Sequence, residues 1–150
     1  MYRTHSEGDT SAFGAALGAL LKPGDSLLIS GGLGAGKSVL ARGAARSLGV
    51  SGPMPSPTFT LMQPYGSVCH FDLYRLEDED EFYAAGLDEF TGGNWIALIE
   101  WPFPGMGLVP RAEAFLERGE GEDERAIRLN LVGMEGRAAA ITDALRPWEV

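Results

Sequence analysis

The segment Gly31-Gly32-Leu33-Gly34-Ala35-Gly36-Lys37-Ser38 meets the pattern Gly-x-x-x-x-Gly-Lys-Ser/Thr at every specified position. The chain's own Gly, Lys and Ser plus Thr frequencies give a chance expectation of about 0.004 such matches, so the motif carries weight by itself. Its chemistry is anion binding. Glycines at 31, 32, 34 and 36 leave no Cβ in the way and permit positive φ, so successive N–H groups can curl around a phosphate at the positive end of the helix that follows. Lys37 adds a point charge for the β- and γ-phosphates, and the Ser38 hydroxyl is the type of ligand that Mg2+ accepts. Gly32, Leu33, Gly34, Ala35, Gly36, Lys37 and Ser38 are therefore the expected nucleotide-binding residues.

Such a loop binds nucleotide; hydrolysis also needs Mg2+ held from a second side and a positioned water. Two carboxylates qualify. Glu100 closes the most continuous apolar run of the chain, Trp95-Ile96-Ala97-Leu98-Ile99-Glu100, where a buried strand would deliver it beside the loop. Asp72 lies in His70-Phe71-Asp72-Leu73-Tyr74-Arg75, and strand alternation puts His70, Asp72 and Tyr74 on one face. That cluster suits either a site or a self-satisfied hydrogen-bond network. Trp101 could shield a triphosphate, meet a base or serve as an ordinary aromatic, and Arg75 could neutralise a phosphate or pair with nearby acids. Cys69, the single cysteine, reads as a small buried hydrophobe, and His5 belongs to no constellation.

These residues need elements to hold them. Asp25 to Ser30, after the turn signal Pro23-Gly24, predicts a short strand leading into the loop, and Lys37 to Leu48 predicts a helix stopped by Gly49. Residues 10 to 21 read as an amphipathic helix with Thr10 as N-cap. Three prolines in Pro53-Met54-Pro55-Ser56-Pro57 force a stiff extended segment into Thr58-Phe59-Thr60. Thr58 to Gln63 and Ser67 to Leu73 predict a hairpin turning at Pro64-Tyr65-Gly66. A helix of about ten residues starts near Asp78 behind an acidic run, followed by a short piece at Leu87 to Phe90. Strands follow at Trp95 to Glu100, Ala112 to Arg118 and Ala126 to Leu131, and a last helix from Glu135 to Arg146 stops at Pro147.

The 150 residues contain no repeat and no linker, which predicts one domain over 1–150. The fold class expected is α/β: a P-loop NTPase-like three-layer sandwich with a mostly parallel sheet and an antiparallel hairpin. No apolar run reaches the roughly 18 residues of a membrane span and the first residues lack a signal pattern, so a cytoplasmic chain with no membrane partner is expected. A net charge of −9 argues against independent binding to a polyanion. The acidic run Glu77-Asp78-Glu79-Asp80-Glu81 reads as a helix start or as a docking surface for a basic partner.

Gly-x-Leu-Gly-Ala-Gly-Lys-Ser at 31 to 38, Ser56-Pro57-Thr58-Phe59-Thr60-Leu61, His70-Phe71-Asp72-Leu73-Tyr74-Arg75-Leu76 and Ile99-Glu100-Trp101-Pro102 occur in the order found in the TsaE family. The chain resembles that family from Thr10 to Leu131. The resemblance implies an ATPase of bacterial tRNA threonylcarbamoyladenosine synthesis that takes ATP and Mg2+, docks on a TsaB–TsaD complex and meets tRNA only through that complex. It implies catalytic roles for Lys37, Asp72 and Glu100, with Lys37 on phosphate, Ser38 and Glu100 on Mg2+, and Asp72 supporting the metal or the attacking water. It also implies that Thr58 and Trp101 are nucleotide-binding residues, that Thr58 and Thr60 lie in a switch-like segment, and that the surroundings of Glu7 and Arg125 approach the base. Two positions depart from the family's habit, Gly32 for Asp and Ser38 for Thr. Alternatives from other classes are a small-molecule P-loop kinase, for which no Arg-rich lid is visible, and a nucleotide-dependent interaction module with negligible hydrolysis.

Overall fold

Four strands that pair in parallel form the centre of a seven-stranded sheet. The computed structural model describes residues 1–57 and 60–150. The strands are β1 (Tyr2–Thr4), β2 (Ser26–Gly31), β3 (Met62–Tyr65), β4 (Val68–Asp72), β5 (Ile96–Glu100), β6 (Arg111–Arg118) and β7 (Arg125–Val132). Their order is β1-β7-β6-β2-β5-β4-β3. β6, β2, β5 and β4 run parallel; β1, β7 and β3 add antiparallel strands at the two edges. The mostly parallel core expected from the sequence is thus present, with antiparallel pairing at both ends.

Helices cover both faces, which is why β4 and β5 are buried along their whole length. On one face lie α1 (Glu7–Gly18), α2 (Lys37–Ser47) and α4 (Ala138–Ala144), packed on Leu27, Ile29, Val68, Leu98, Ala112, Ala114 and Ile127. On the other lie α3 (Glu79–Ala84) and a 3-10 turn, Leu87–Phe90, packed on Leu28, Cys69, Phe71, Ala97 and Ile99. The period of two along each strand sorts these sets, so His70, Asp72 and Glu100 fall on the α2 face with Val68 and Leu98. Cys69 points the other way, where burial pushes its thiol up to about 12, out of reach of nucleophilic use.

Several local expectations are corrected. Ser6, not Thr10, caps α1, its hydroxyl accepting from the Asp9 N–H; Thr10 is buried inside the helix and bonds Thr4 Oγ1 at 2.7 Å. The hairpin turns at Gly66-Ser67, because Pro64 lies on an edge strand where its missing N–H is tolerated. α3 is one short helix that Asp78 caps. The last helix ends at Ala144, and Pro147 lies within the 3-10 turn that follows. β1 has no counterpart in the sequence reading. Among the described residues no helix is long and apolar enough to cross a membrane.

α1 and α2 touch backbone to backbone. A Cβ at Gly43 would stand 2.1 Å from the Ser11 carbonyl oxygen, and one at Gly14 would stand 2.2 Å from that of Leu40. This approach fixes α2, and with it the glycine loop at its start. In a free helix Gly→Ala gains about 1 kcal/mol. Gly43→Ala is expected to do the opposite and cost about 1–3 kcal/mol, since backbone rather than a flexible side chain must give way. Urea denaturation checks the sign, and a stabilised variant would contradict this packing.

Candidate functional site

At the carboxyl ends of the parallel strands, where the connections from β2 and β5 leave in different directions, a cavity of about 390 Å³ opens. Its lining includes Leu33, Gly34, Gly36, Lys37, Ser38, Asp72, Glu100 and Trp101. Predicted residues from three separated motifs therefore converge in space. Thr58 lies outside the described residues, and Thr60 is exposed on the segment beside it.

The loop has the backbone its glycines permit. Gly34 and Gly36 take φ of 73° and 98°, and Gly36 begins α2 without a side-chain cap, so the cavity is lined by the helix's own first turn. Gly32 needs no such freedom, and a Cβ there would meet nothing within 4 Å. The loop's outer side is tied down from β7. Buried Arg125 donates from Nε to the Ala35 carbonyl at 2.9 Å and from Nη2 to that of Gly34 at 3.1 Å. With Glu7, Thr10 and Asp123 it also lines the cavity.

Lys37 is 5% exposed, and its ammonium donates to the Gly31 and Gly32 carbonyls at 2.9 and 2.6 Å while lying 4.0 Å over the Trp101 ring. Burial pushes this amine below its ordinary value, against the pull of Glu100 and Asp72. Trp101 itself has φ of 57°, rare for a bulky residue, and packs against exposed Tyr74 with ring centroids 4.8 Å apart and planes tilted by 52°. Tyr74 lies past the end of β4, so the face predicted for His70 and Asp72 does not extend to it.

Glu100 and Asp72 are register partners at the ends of β5 and β4. Glu100 Oε1 accepts from Ser38 Oγ at 2.8 Å; because that hydroxyl has one proton, Ser56 Oγ, 3.0 Å away, donates to Ser38 in turn. Asp72 accepts from the Tyr74 N–H at 3.1 Å, and burial pushes its carboxyl up more than that bond pulls it down, with Glu100 adding to the rise. Among the described residues no group of three His, Cys, Asp or Glu stands at metal-binding geometry. One hydroxyl and two carboxylates are nonetheless an all-oxygen donor set that suits Mg2+ shared with phosphate. Sequence alone does not mark Ser56, Thr10 or Asp123 for this site, and it marks His70 only as a neighbour of Asp72. Two of them, Thr10 and Asp123, reach the cavity from elements that only the tertiary fold brings there.

A parallel-core sandwich with a glycine loop entering a helix beside two strand-end carboxylates defines the P-loop class of α/β proteins. The sequence profile described as "Threonylcarbamoyl adenosine biosynthesis protein TsaE" matches residues 4–127. The tRNA threonylcarbamoyladenosine biosynthesis protein TsaE of Bacillus subtilis is 38% identical over 88% of this chain and 85% of its own length. That of Haemophilus influenzae is 38% identical over 67% of this chain and 66% of its own. A crystal structure of Bacillus subtilis YdiB superposes with a TM-score of 0.74 at 31% identity, covering 97% of this chain and 93% of that one. The chain belongs to the TsaE family of tRNA threonylcarbamoyladenosine biosynthesis. The open space around Gly32 would admit a side chain such as the Asp that the resemblance leads one to expect there.

The buried Asp72 carboxylate costs stability in return for its position. Asp72→Asn keeps the acceptor for Tyr74 and removes the charge, so the ligand-free variant is expected to melt higher at neutral pH. The native pKa of Asp72 lies above its unfolded value, so the cost is present above the native pKa and absent below the unfolded one. The advantage of Asn therefore shrinks on acidification, a trend that thermal melts from neutral pH down to about pH 4 will show or refute.

Proposed function

We propose that the protein binds ATP with Mg2+ and hydrolyses it as a subunit of the tRNA threonylcarbamoyladenosine machinery, acting in the cytoplasm on a TsaB–TsaD type complex. The observation that carries this reading is the convergence of Lys37, Ser38, Asp72 and Glu100 on one cavity at the start of α2. The site residues fall into roles by their chemistry. Backbone N–H groups from Gly32 to Ser38 cradle phosphate, and Lys37 leaves the loop carbonyls to meet the β- and γ-phosphates. Ser38 and Glu100 hold Mg2+, which supplies charge neutralisation for the transferring phosphoryl group when bound. Asp72 orients the attacking water; a carboxyl raised by burial is the better proton acceptor for it. Trp101 closes the phosphate end against solvent, and the segment of Thr58 and Thr60 responds to the γ-phosphate. Glu7, Thr10 and Arg125 border the part of the cavity left for the base.

Hydrolysis by the isolated chain should be weak, and this keeps the second reading, a nucleotide-dependent interaction module, in view. Of the two cations lining the cavity, Lys37 and Arg125, the guanidinium is engaged by the carbonyls of Gly34, Ala35, Glu122 and Glu124. A partner would supply the missing charge stabilisation, worth up to several orders of magnitude in related chemistry.

Calorimetry on Lys37→Ala is expected to show at least a tenfold loss of ATP affinity, about 1.4 kcal/mol, from the loss of a charge-assisted contact. Unchanged affinity would remove the basis of the proposal. Glu100→Gln should still bind nucleotide while Mg2+-dependent turnover in the complete system falls at least tenfold. Turnover equal to that of the wild type would leave Glu100 a structural residue.

The net charge of −9 adds a test of how tRNA is reached. The purified chain should not retain tRNA at physiological salt, and its affinity for the partner complex should be higher with ATP than with ADP. Gel shift and co-sedimentation measure the two. Tight tRNA binding, or equal partner affinity in both nucleotide states, contradicts the account.

A further inference from the structure

Glu100 is 2% exposed and held at both oxygens: Oε1 by Ser38 Oγ, and Oε2 by His70 Nε2 at 2.5 Å. His70 is itself wholly buried on β4, level with Leu98 of the neighbouring β5, while Asp72 is level with Glu100. The imidazole therefore stands beneath the carboxylate, on the side toward the core. An ionised carboxylate only accepts, so the bond assigns the Nε2–H form of the ring. Among the described residues His70 Nδ1 has no hydrogen-bond partner. The position lies on the same strand face as Val68, within an otherwise apolar layer, and the phosphate chemistry assigned above makes no use of an imidazole.

We propose that His70 is a positioning residue for Glu100: its Nε2–H fixes the carboxylate with Oε1 turned to Ser38, and so sets the affinity of the Ser38–Glu100 pair for a divalent cation. The inference rests on the reading of Ser38 and Glu100 as the cation site. A glutamate has three side-chain torsions, and this one stands near the buried Lys37 ammonium, whose electrostatic pull it feels. Anchored by Ser38 alone, it would be free to swing toward that ammonium and away from the hydroxyl. A second, short donor on the far oxygen removes this freedom and compensates the carboxylate's desolvation, in the way that outer partners orient metal-ligating side chains elsewhere. Register explains why a histidine can do this. From the adjacent strand, two residues below the carboxylate's level, a ring reaches up where an aliphatic side chain would offer only bulk.

The test is a titration of Mg2+ against a fluorescent ATP analogue bound to the intact chain, in wild type, His70→Leu and His70→Gln, with a parallel measurement in EDTA. His70→Leu is expected to raise the Mg2+ midpoint by about tenfold or more, within the range typical of such outer partners, while affinity in EDTA stays within about twofold. His70→Gln, which returns an N–H near the position of Nε2, should recover most of the loss. An unchanged midpoint in His70→Leu, or a Gln variant as impaired as the Leu variant, overturns the inference. No Mg2+ dependence in the wild type would instead overturn the cation reading of Ser38 and Glu100 on which it rests.

Should the Leu variant not fold, the wild type alone decides. The chain has two histidines, so imidazole 15N spectra resolve His70 from exposed His5. An Nε2–H form whose proton resonance moves with Mg2+ and ATP, but not with ATP in EDTA, supports the proposal; an Nδ1–H form refutes it.

Discussion

A buried ammonium is the constraint around which this edge of the sheet is arranged. Lys37 is almost fully out of water, and an isolated charge there would be prohibitive. Two loop carbonyls and the face of Trp101 compensate it, with the fields of Glu100 and Asp72 behind them. Each of those compensating groups needs its own support in turn. Trp101 sits in left-handed backbone held by its N–H on the Ile29 carbonyl at 3.2 Å; Glu100 is held by Ser38 and His70; Asp72 by the Tyr74 N–H. The loop, two strand ends and the start of α2 are thus one electrostatic unit, and its parts are stable because they satisfy one another.

That unit is only as well placed as the elements beneath it. α2 cannot drift because its Gly43 lies against the backbone of α1, and the outer wall of the loop cannot open without breaking the Arg125 bonds to Gly34 and Ala35. At the opposite end of β2, Asp25 makes a paired contact with Arg137 just before α4, with one arm at 2.8 Å, and also accepts from the Lys22 N–H. The arginine is raised above its ordinary value chiefly by this hydrogen bond, the mark of a cation held in place. The central strand is therefore clamped at its entrance and at its exit. Clamping of this kind keeps the loop preorganised rather than assembled by each arriving ligand.

Much of this was legible in the chain because the signals were local. The phosphate loop is contiguous, the run ending at Glu100 is unmistakably a buried strand, and Asp78 before an acidic turn announces α3. What was not legible depended on who lies next to whom. β1 is three residues long and exists because β7 offers it an edge; the same pairing turns Thr10 from an expected cap into the buried partner of Thr4. Pro64 looked like a turn residue because proline interrupts interior strands, and only the sheet order shows that β3 is an edge. The bond from His70 to Glu100 spans thirty residues and follows from β4 and β5 being neighbours in parallel register, which no spacing in the sequence encodes.

The self-satisfied state also says something about how such a site would use a ligand. Phosphate oxygens and a cation would replace the loop carbonyls at Lys37 and the carboxylate at the Ser38 hydroxyl, so binding exchanges partners instead of filling a void. The exchange is close to even for the groups that stay buried, because each finds a new charge-assisted contact for the one it gives up. The imbalance falls on Trp101. Trp101 rests between the Lys37 ammonium and Tyr74, which is more than half exposed, so a ligand that drew Lys37 off the ring would leave this left-handed residue with the surface tyrosine as its aromatic neighbour.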